Sequence, residues 1–215
     1  MREAERQEQE VEAREDAILA SARQGDQEAF AELVRLYERR VYNLAYRMTN
    51  NADDAWDISQ EVFLRVHAAL PKFRGDSSFS TWLYRIAANV CLDELRRRKR
   101  QEAVSLDEPL RVAEGELVRQ TAGNEPDPER VLEQADLRQA VAKCIKRLPA
   151  EYRMAIILRD LQGFSYQEIA LQLDCSLGTV KSRINRGRQA LKEMFTALEL
   201  FPHTRVLQGE RRAGQ

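Results

Sequence analysis

Apolar residues recur at helical spacing along most of this chain, and nowhere do they alternate as a half-buried strand requires. Phe30, Leu33, Val34, Tyr37, Val41, Leu44, Ala45 and Met48 define a strongly periodic helix that Asp26 can cap and that Asn50 and Asn51 end. Asp53 opens the next helix, whose inward side is Ile58, Val62, Val66 and Ala69, with Phe63 and Leu70 beside them; it stops before Pro71. A loop, KFRGDSSFS, follows, after which Ser80 can cap a third helix running to about Arg98. Beyond Gln101 the periodicity fades, and Pro109, Gly115, Gly123, Pro126 and Pro128 punctuate an acidic stretch that reads as a flexible linker. Helical spacing returns with Val131, Leu132, Ala135, Leu137, Val141 and Ile145, and LPAEYRMAIILRDLQG reads as a turn, a compact apolar helix and a stop at Gly163. The first sixteen residues favour helix but lack an apolar stripe, so a frayed or disordered tail is expected. The pattern predicts an all-α protein of two small helical domains: a tail over 1–20, a first domain over 21–100, an acidic linker over 101–128, a second domain over 129–199 and a tail over 200–215.

The most informative stretch is FSYQEIALQLDCSLGTVKSRINRGRQAL, Phe164 to Leu191. Ser165 and Glu168 have capping-box spacing, Ile169, Ala170 and Leu173 give a short helix its inward side, and Asp174-Cys175-Ser176 makes a turn that Ser176 converts into a second cap. In the second helix Val180, Ile184, Gly187 and Leu191 share one side. Gly178, Ser182, Asn185, Arg186 and Gln189 fall opposite, flanked by Thr179 and Lys181. Small and polar groups near the amino end allow that end to enter a major groove, where Lys181, Asn185 and Arg186 have donors suited to base edges and phosphates. The plainer alternative is an amphipathic helix with a solvated charged face; the coincidence of cap, turn and basic face favours DNA.

In the third helix Trp82, Arg85, Asn89 and Arg96 project from one side while Leu83, Ile86, Ala87 and Val90 occupy the other. Tryptophan beside arginine and asparagine suits unpaired bases, which need a stacking platform, donors and phosphate neutralisation. The preceding loop, Phe73, Arg74, Gly75, Asp76, Ser77 and Ser78, has the composition to wrap a base taken out of the stack. The competing reading, equally weighted on residues alone, packs Trp82 against the first helix and leaves the arginines as solubilising groups. The second helix carries Asp54, Asp57 and Glu61 on one side with Arg65 further along, either as a surface ion-pair array or as a docking face for a basic protein surface.

Composition narrows the class. At 215 residues with 43% hydrophobic content the chain can bury two cores, and its 9 Gly and 6 Pro fit long helices with few turns. A net charge of −1 argues against indiscriminate coating of nucleic acid. The charge is nevertheless segregated: Arg96 to Arg100 form one basic block, Lys181, Arg183, Arg186, Arg188 and Lys192 another, and acid dominates the linker and the amino terminus. Cys91, Cys144 and Cys175 lie in apolar helical patterns without a CxxC, and read as reduced core thiols. With only His67 and His203 as histidines, no metal and no cofactor is expected. No phosphate-binding loop or nucleophile–base pairing appears, so no enzyme activity and no small-molecule substrate are expected. The chain has no signal peptide and no apolar run near membrane-spanning length, so a cytoplasmic protein is expected.

Taken together, the arrangement resembles a bacterial RNA polymerase sigma factor of the extracytoplasmic-function group, close to the sigma-E-like members. DDAWDISQEVFLRVHAAL is similar to the family's segment that docks on the largest subunits of core RNA polymerase, and Asp54, Asp57, Gln60 and Glu61 match that face. FRGDSSFSTWLYRIAANVCLDELRRRKR resembles the region 2 segment that melts and reads the −10 element. There Asn89 matches the position contacting a flipped base, and Phe73 through Ser78 the loop enclosing it. The carboxy-terminal segment resembles the region 4 reader of the −35 element, with Lys181, Ser182 and Arg186 on matching positions. Asn185 departs from the bulky aromatic often found there. The resemblance implies promoter DNA, duplex and single-stranded, core polymerase and a membrane-bound anti-sigma factor as partners, in an initiation and stress-response role. The alternative is a helix-turn-helix regulator that binds its operator without polymerase.

Overall fold

The computed structural model describes residues 2–104 and 128–198, with side chains described over 13–101 and 137–198. The described residues form eight α-helices and no strand, in two compact units. Most of the predicted linker, residues 105–127, and the predicted carboxy-terminal tail from 199 onward lie outside the described residues.

The first unit holds α1 (Arg2–Arg23), α2 (Gln27–Thr49), α3 (Ala52–Ala69) and α4 (Phe79–Val104). The amino-terminal segment expected as a frayed tail is a helix. Ala22 is buried, Ile18 and Leu19 are half-buried, Arg14 pairs with Glu32 at 2.6 Å, and the Tyr37 hydroxyl donates to Glu15. Three apolar residues within five positions suffice because α2 supplies a ready-made surface; isolated, so short a stripe would not hold a helix. Gly25, with φ of +95°, turns the chain, and the Asp26 carboxylate accepts from the Glu28 and Ala29 amides at 2.9 and 3.2 Å. Asn50 ends α2 in the left-handed region, φ +54°.

Two expected caps move. Asn51, not Asp53, caps α3 by accepting from the Asp54 amide at 3.0 Å. Ser78, not Ser80, caps α4 by accepting from the Thr81 amide at 3.2 Å. The reason for the second shift is packing: Phe79 is buried against Tyr37 and Phe73, ring centroids 5.3 and 6.1 Å apart, which draws the helix start forward. The helix also outruns its expected end at Arg98, continuing to Val104. The core of this unit gathers Leu33, Leu44 and Met48 from α2, Ile58, Val62 and Val66 from α3, and Leu83, Ala87 and Cys91 from α4. Each large side chain removed from water contributes roughly 1.5–3 kcal/mol.

The second unit holds α5 (Pro128–Arg147), α6 (Ala150–Ile156), α7 (Tyr166–Gln172) and α8 (Leu177–Ala197). A wide π-type turn, Ile157–Leu161, continues α6, and Gly163 at φ +81° closes it. Of the expected inward residues of α5, Leu137 is exposed and Val141 and Ile145 are half-buried, while Val131, Leu132 and Ala135 lie outside the described side chains; Cys144 is buried. Buried Arg153 donates to the carbonyls of Lys146 and Leu148, the latter at 2.9 Å, and so satisfies the open end of α5 from α6. The capping box closes as expected: Ser165 N–H donates to Glu168 at 2.7 Å and Glu168 N–H to the Ser165 hydroxyl at 3.2 Å. Asp174 at φ +46° makes the turn, and the Ser176 hydroxyl accepts from the Thr179 amide at 3.1 Å. Gly187 sets how closely α8 approaches α6, because a Cβ there would lie 2.9 Å from Ile156 Cγ1.

Candidate nucleic-acid interface

On α4 the inward face is Leu83, Ala87, Val90 and Cys91, which places Arg85, Asn89 and Arg96 outward, all exposed. Trp82 is half-buried and does not resolve to either expectation. Its ring lies 5.0 Å from Phe73 and 5.8 Å from Phe79, packed on loop and helix-start aromatics, with part of its surface still open. Phe73 itself is only 6% exposed, and Arg23 of α1 lies over its ring at 6.0 Å. It therefore anchors the loop from below. Arg74, Gly75, Asp76 and Ser78 are the exposed members, with Gly75 at φ +80° supplying a bend that other residues adopt reluctantly. Ser77 is half-buried.

The basic block that closes α4 is partly neutralised by acids. Arg96 pairs with Asp93 at 3.3 Å, Arg97 with Glu94 at 2.8 Å, and Arg98 with Glu94 at 2.8 Å. Arg98 also reaches α3, where it forms a bidentate pair with Asp54. Hydrogen bonds from Arg97, together with those from Arg98, hold the Glu94 carboxyl down at about 2. The Asp54 contact, with Glu94 behind it, pushes the Arg98 guanidinium further up. Asp54 thus splints α3 to α4, and its side chain is 15% exposed.

Asp57 and Gln60 of the expected docking set are exposed and Glu61 is half-buried, pairing with Arg65 at 2.7 Å as the ion-pair reading foresaw. Between them lies what the acidic pattern concealed: Trp56 and Leu64, 60% and 67% exposed. Trp56, Gln60 and Leu64 follow one another at four-residue spacing, so they share one outward stripe of α3. Large apolar residues at that spacing on an otherwise polar face were the available signal.

On α8 the inward set is as expected, with Val180, Ile184, Gly187 and Leu191 all buried. Lys181, Ser182, Asn185, Arg186 and Gln189 are exposed and Thr179 is half-buried beside the cap. Arg186 donates to the Tyr152 hydroxyl at 3.3 Å, and Arg188 chelates Asp160, its Nε at 3.1 Å. Asn185, Arg186, Arg188, Gln189 and Lys192 line one shallow groove. A second groove joins Lys181 and Leu177 to Ser165, Tyr166, Gln167 and Arg159. Arg159 lies over the Tyr166 ring at 5.0 Å and donates to the Phe164 carbonyl at 2.9 Å, which brings a further cation beside Lys181. That cation is invisible to local pattern because the two residues meet only through the fold.

Burial pushes the Cys91 thiol up to about 12, and Cys144 is also buried. Cys175 differs from the core reading: it is half-buried in the turn before α8, with Arg183 donating to its sulfur at 3.8 Å. Among the described residues no cluster of His, Cys, Asp and Glu could hold a metal, and no helix is long and apolar enough to cross a membrane.

Comparison with known proteins matches both units. The Sigma-70 region 2 family matches residues 33–101 and Sigma-70 region 4 matches residues 138–191. The ECF RNA polymerase sigma factor SigW of Bacillus subtilis (strain 168) is 36% identical over 181 residues, 84% of this chain and 96% of that protein. The ECF RNA polymerase sigma-E factor of Escherichia coli (strain K12) is 39% identical over 180 residues, 82% of this chain and 92% of that protein. Among solved structures, the sigma factor RpoE in complex with the anti-sigma factor NepR from Bartonella quintana is similar at 26% identity and a TM-score of 0.61, covering 78% of this chain and 96% of that one. CnrH in complex with the cytosolic domain of CnrY is similar at 26% identity and a TM-score of 0.58, covering 84% and 96%. Two separated family matches in order, one in each unit, and relatives at 36% and 39% identity over 84% and 82% of the chain place it in the ECF family of RNA polymerase sigma factors, which direct the polymerase to promoters.

Proposed function

We propose that this sigma factor divides promoter recognition between its two units: α8 reads the −35 element as duplex, and α4 with the Arg74–Ser78 loop captures the −10 element as unpaired strand. The observation that carries the reading is the contrast between the two exposed faces. On α4, Asn89, Arg85 and a partly open Trp82 combine donors with a stacking surface beside a glycine-bent loop. On α8, a capped helix offers Lys181, Ser182, Asn185 and Arg186, donors carried on the helix itself without an aromatic among them. Stacking groups suit single strands; donors on a helix end suit base edges in a groove.

Strand opening then needs no chemical step by this chain. The energy of capturing an extruded base offsets the few kcal/mol of unstacking, with polymerase supplying the remaining surface. The α3 stripe of Trp56, Gln60 and Leu64, flanked by Asp57 and Glu61, is the docking face for core polymerase, its apolar pair acting as anchors within a polar rim. The solved relatives carry anti-sigma partners, and by that likeness an anti-sigma factor is this chain's regulator.

The test uses the full chain assembled with core polymerase. Arg186→Ala is expected to weaken capture of promoter duplex about tenfold, as loss of a bidentate base contact does, and to leave polymerase association intact. Asn89→Ala is expected to leave duplex capture intact and to reduce permanganate reactivity of thymines near the start site. Loss of polymerase association in the first variant, or unchanged opening in the second, overturns the division.

A further inference from the structure

The arginines on either side of Gly187 are held from below in different ways. Arg188 is gripped by a carboxylate: it chelates Asp160, which compensates its charge. Arg186 meets a neutral group, its Nη1 donating to the phenol oxygen of Tyr152 at 3.3 Å across 34 residues of sequence. A phenol engages one of the guanidinium's several donors and leaves its positive charge uncompensated. Asp160 makes Arg188 a structural tie, whereas Tyr152 orients Arg186 and keeps it chemically available.

The helix packing makes this contact possible. Gly187 follows Arg186, and its missing Cβ lets α8 settle onto α6: a Cβ there would meet Ile156 Cγ1 at 2.9 Å and Tyr152 Cβ at 3.5 Å. Tyr152 is half-buried and has few rotatable bonds, so its hydroxyl is a fixed point, while Arg186 is exposed on a long flexible stem. An arginine that reads a base edge loses rotamer freedom on binding, and a partner that restricts it beforehand lowers that cost.

We infer that Tyr152 is a positioning residue for Arg186, holding its guanidinium where it reads one base pair of the upstream element. This rests on the reading of α8 as the −35 reader. Tyr152 touches no DNA in this role; it acts through Arg186 and sets how sharply one position is read.

The experiment reads base preference position by position. The full chain with core polymerase captures duplexes from a pool randomised across the upstream element, and the captured pool is sequenced. Tyr152→Phe keeps the ring and its packing and removes the hydroxyl, so an unchanged melting temperature is expected. Arg186→Ala is expected to erase preference at one position. Tyr152→Phe is expected to blur preference at that same position by about three- to tenfold, in line with the loss of one ordinary hydrogen bond, and to leave the others alone. Adding Tyr152→Phe to Arg186→Ala is expected to change nothing further. A Tyr152→Phe profile like the wild type's, a uniform loss across all positions, or an additive effect in the double variant overturns the role of Tyr152 while Arg186 keeps its own. An Arg186→Ala profile like the wild type's overturns the −35 reading of α8 and this inference with it.

Discussion

The two units solve the same structural problem in opposite ways. In each, a long helix must keep one face in a core and leave the other open, on the proposed reading to nucleic acid. In α4 the exposed face is steadied within its own unit by acids: Glu94 holds Arg97 and Arg98, and Asp54 ties Arg98 to α3. In α8 steadiness comes from close contact with the preceding helix, through Gly187 over Ile156 and through Tyr152 and Asp160 beneath Arg186 and Arg188. Charge pairs dominate the first face, whereas in the second a steric fit at Gly187 works beside the Arg188–Asp160 pair. The first is therefore expected to respond to pH and salt, and the second to side-chain volume.

The largest expected effect breaks the second unit. Gly187→Val places a branched side chain against Ile156, where a Cβ alone already lies at 2.9 Å. Overpacking of this kind costs about 1–3 kcal/mol, and displacement of α8 is expected to abolish −35 duplex capture. A thermal melt and a duplex-binding assay check it; full duplex capture in the variant would show that close approach does not set this face.

A smaller effect is expected from Asp54→Ala, which strips Arg98 of its α3 partner. Breaking a fully buried pair costs about 3–5 kcal/mol, but Arg98 is 37% exposed, so solvent screening reduces the expected loss to roughly 1 kcal/mol. Denaturant titration at low and high salt checks both the size and the expected shrinkage with salt. A loss that salt leaves untouched would mean that Asp54 acts through packing.

The smallest effect is read from its loss in acid. Glu94 sits at about 2 in the folded protein against an ordinary value of 4.5, a depressed carboxylate. Its contribution is therefore complete above pH 4.5 and fades as pH falls toward 2. Comparing wild type with Glu94→Gln by melting temperature, the gap is expected to be constant above pH 4.5 and to close toward pH 2. A gap that ignores pH would remove charge pairing as the support of α4.

Much of this architecture was legible because it rests on local rules. The caps at Asp26, Ser165 and Ser176 and the inward stripe of α8 need only a few consecutive residues to declare themselves, and all are found. Errors arise where a distant partner outweighs the local preference. Ser78 takes over from Ser80 because Phe79 has a core to enter, and α1 forms because α2 gives Ile18, Leu19 and Ala22 somewhere to pack. The candidate site divides in the same way. The exposure of Asn89 and Arg186 follows from helical period alone. The anchoring of Phe73, the pairing of Asp54 with Arg98 and the arrival of Arg159 beside Lys181 depend on residues far away in the chain.

The sequence by itself determined α2, α3, α4, α7 and α8, most of their inward faces and the two segments proposed to meet nucleic acid, because period and capping chemistry act within a turn or two of helix. Tertiary structure alone decided which exposed charges find partners on another helix, as Arg98 does with Asp54 and Arg188 with Asp160, and which side chains steady the exposed faces. Pairs between helices and close packing depend on which helices meet, and no short window of residues encodes that.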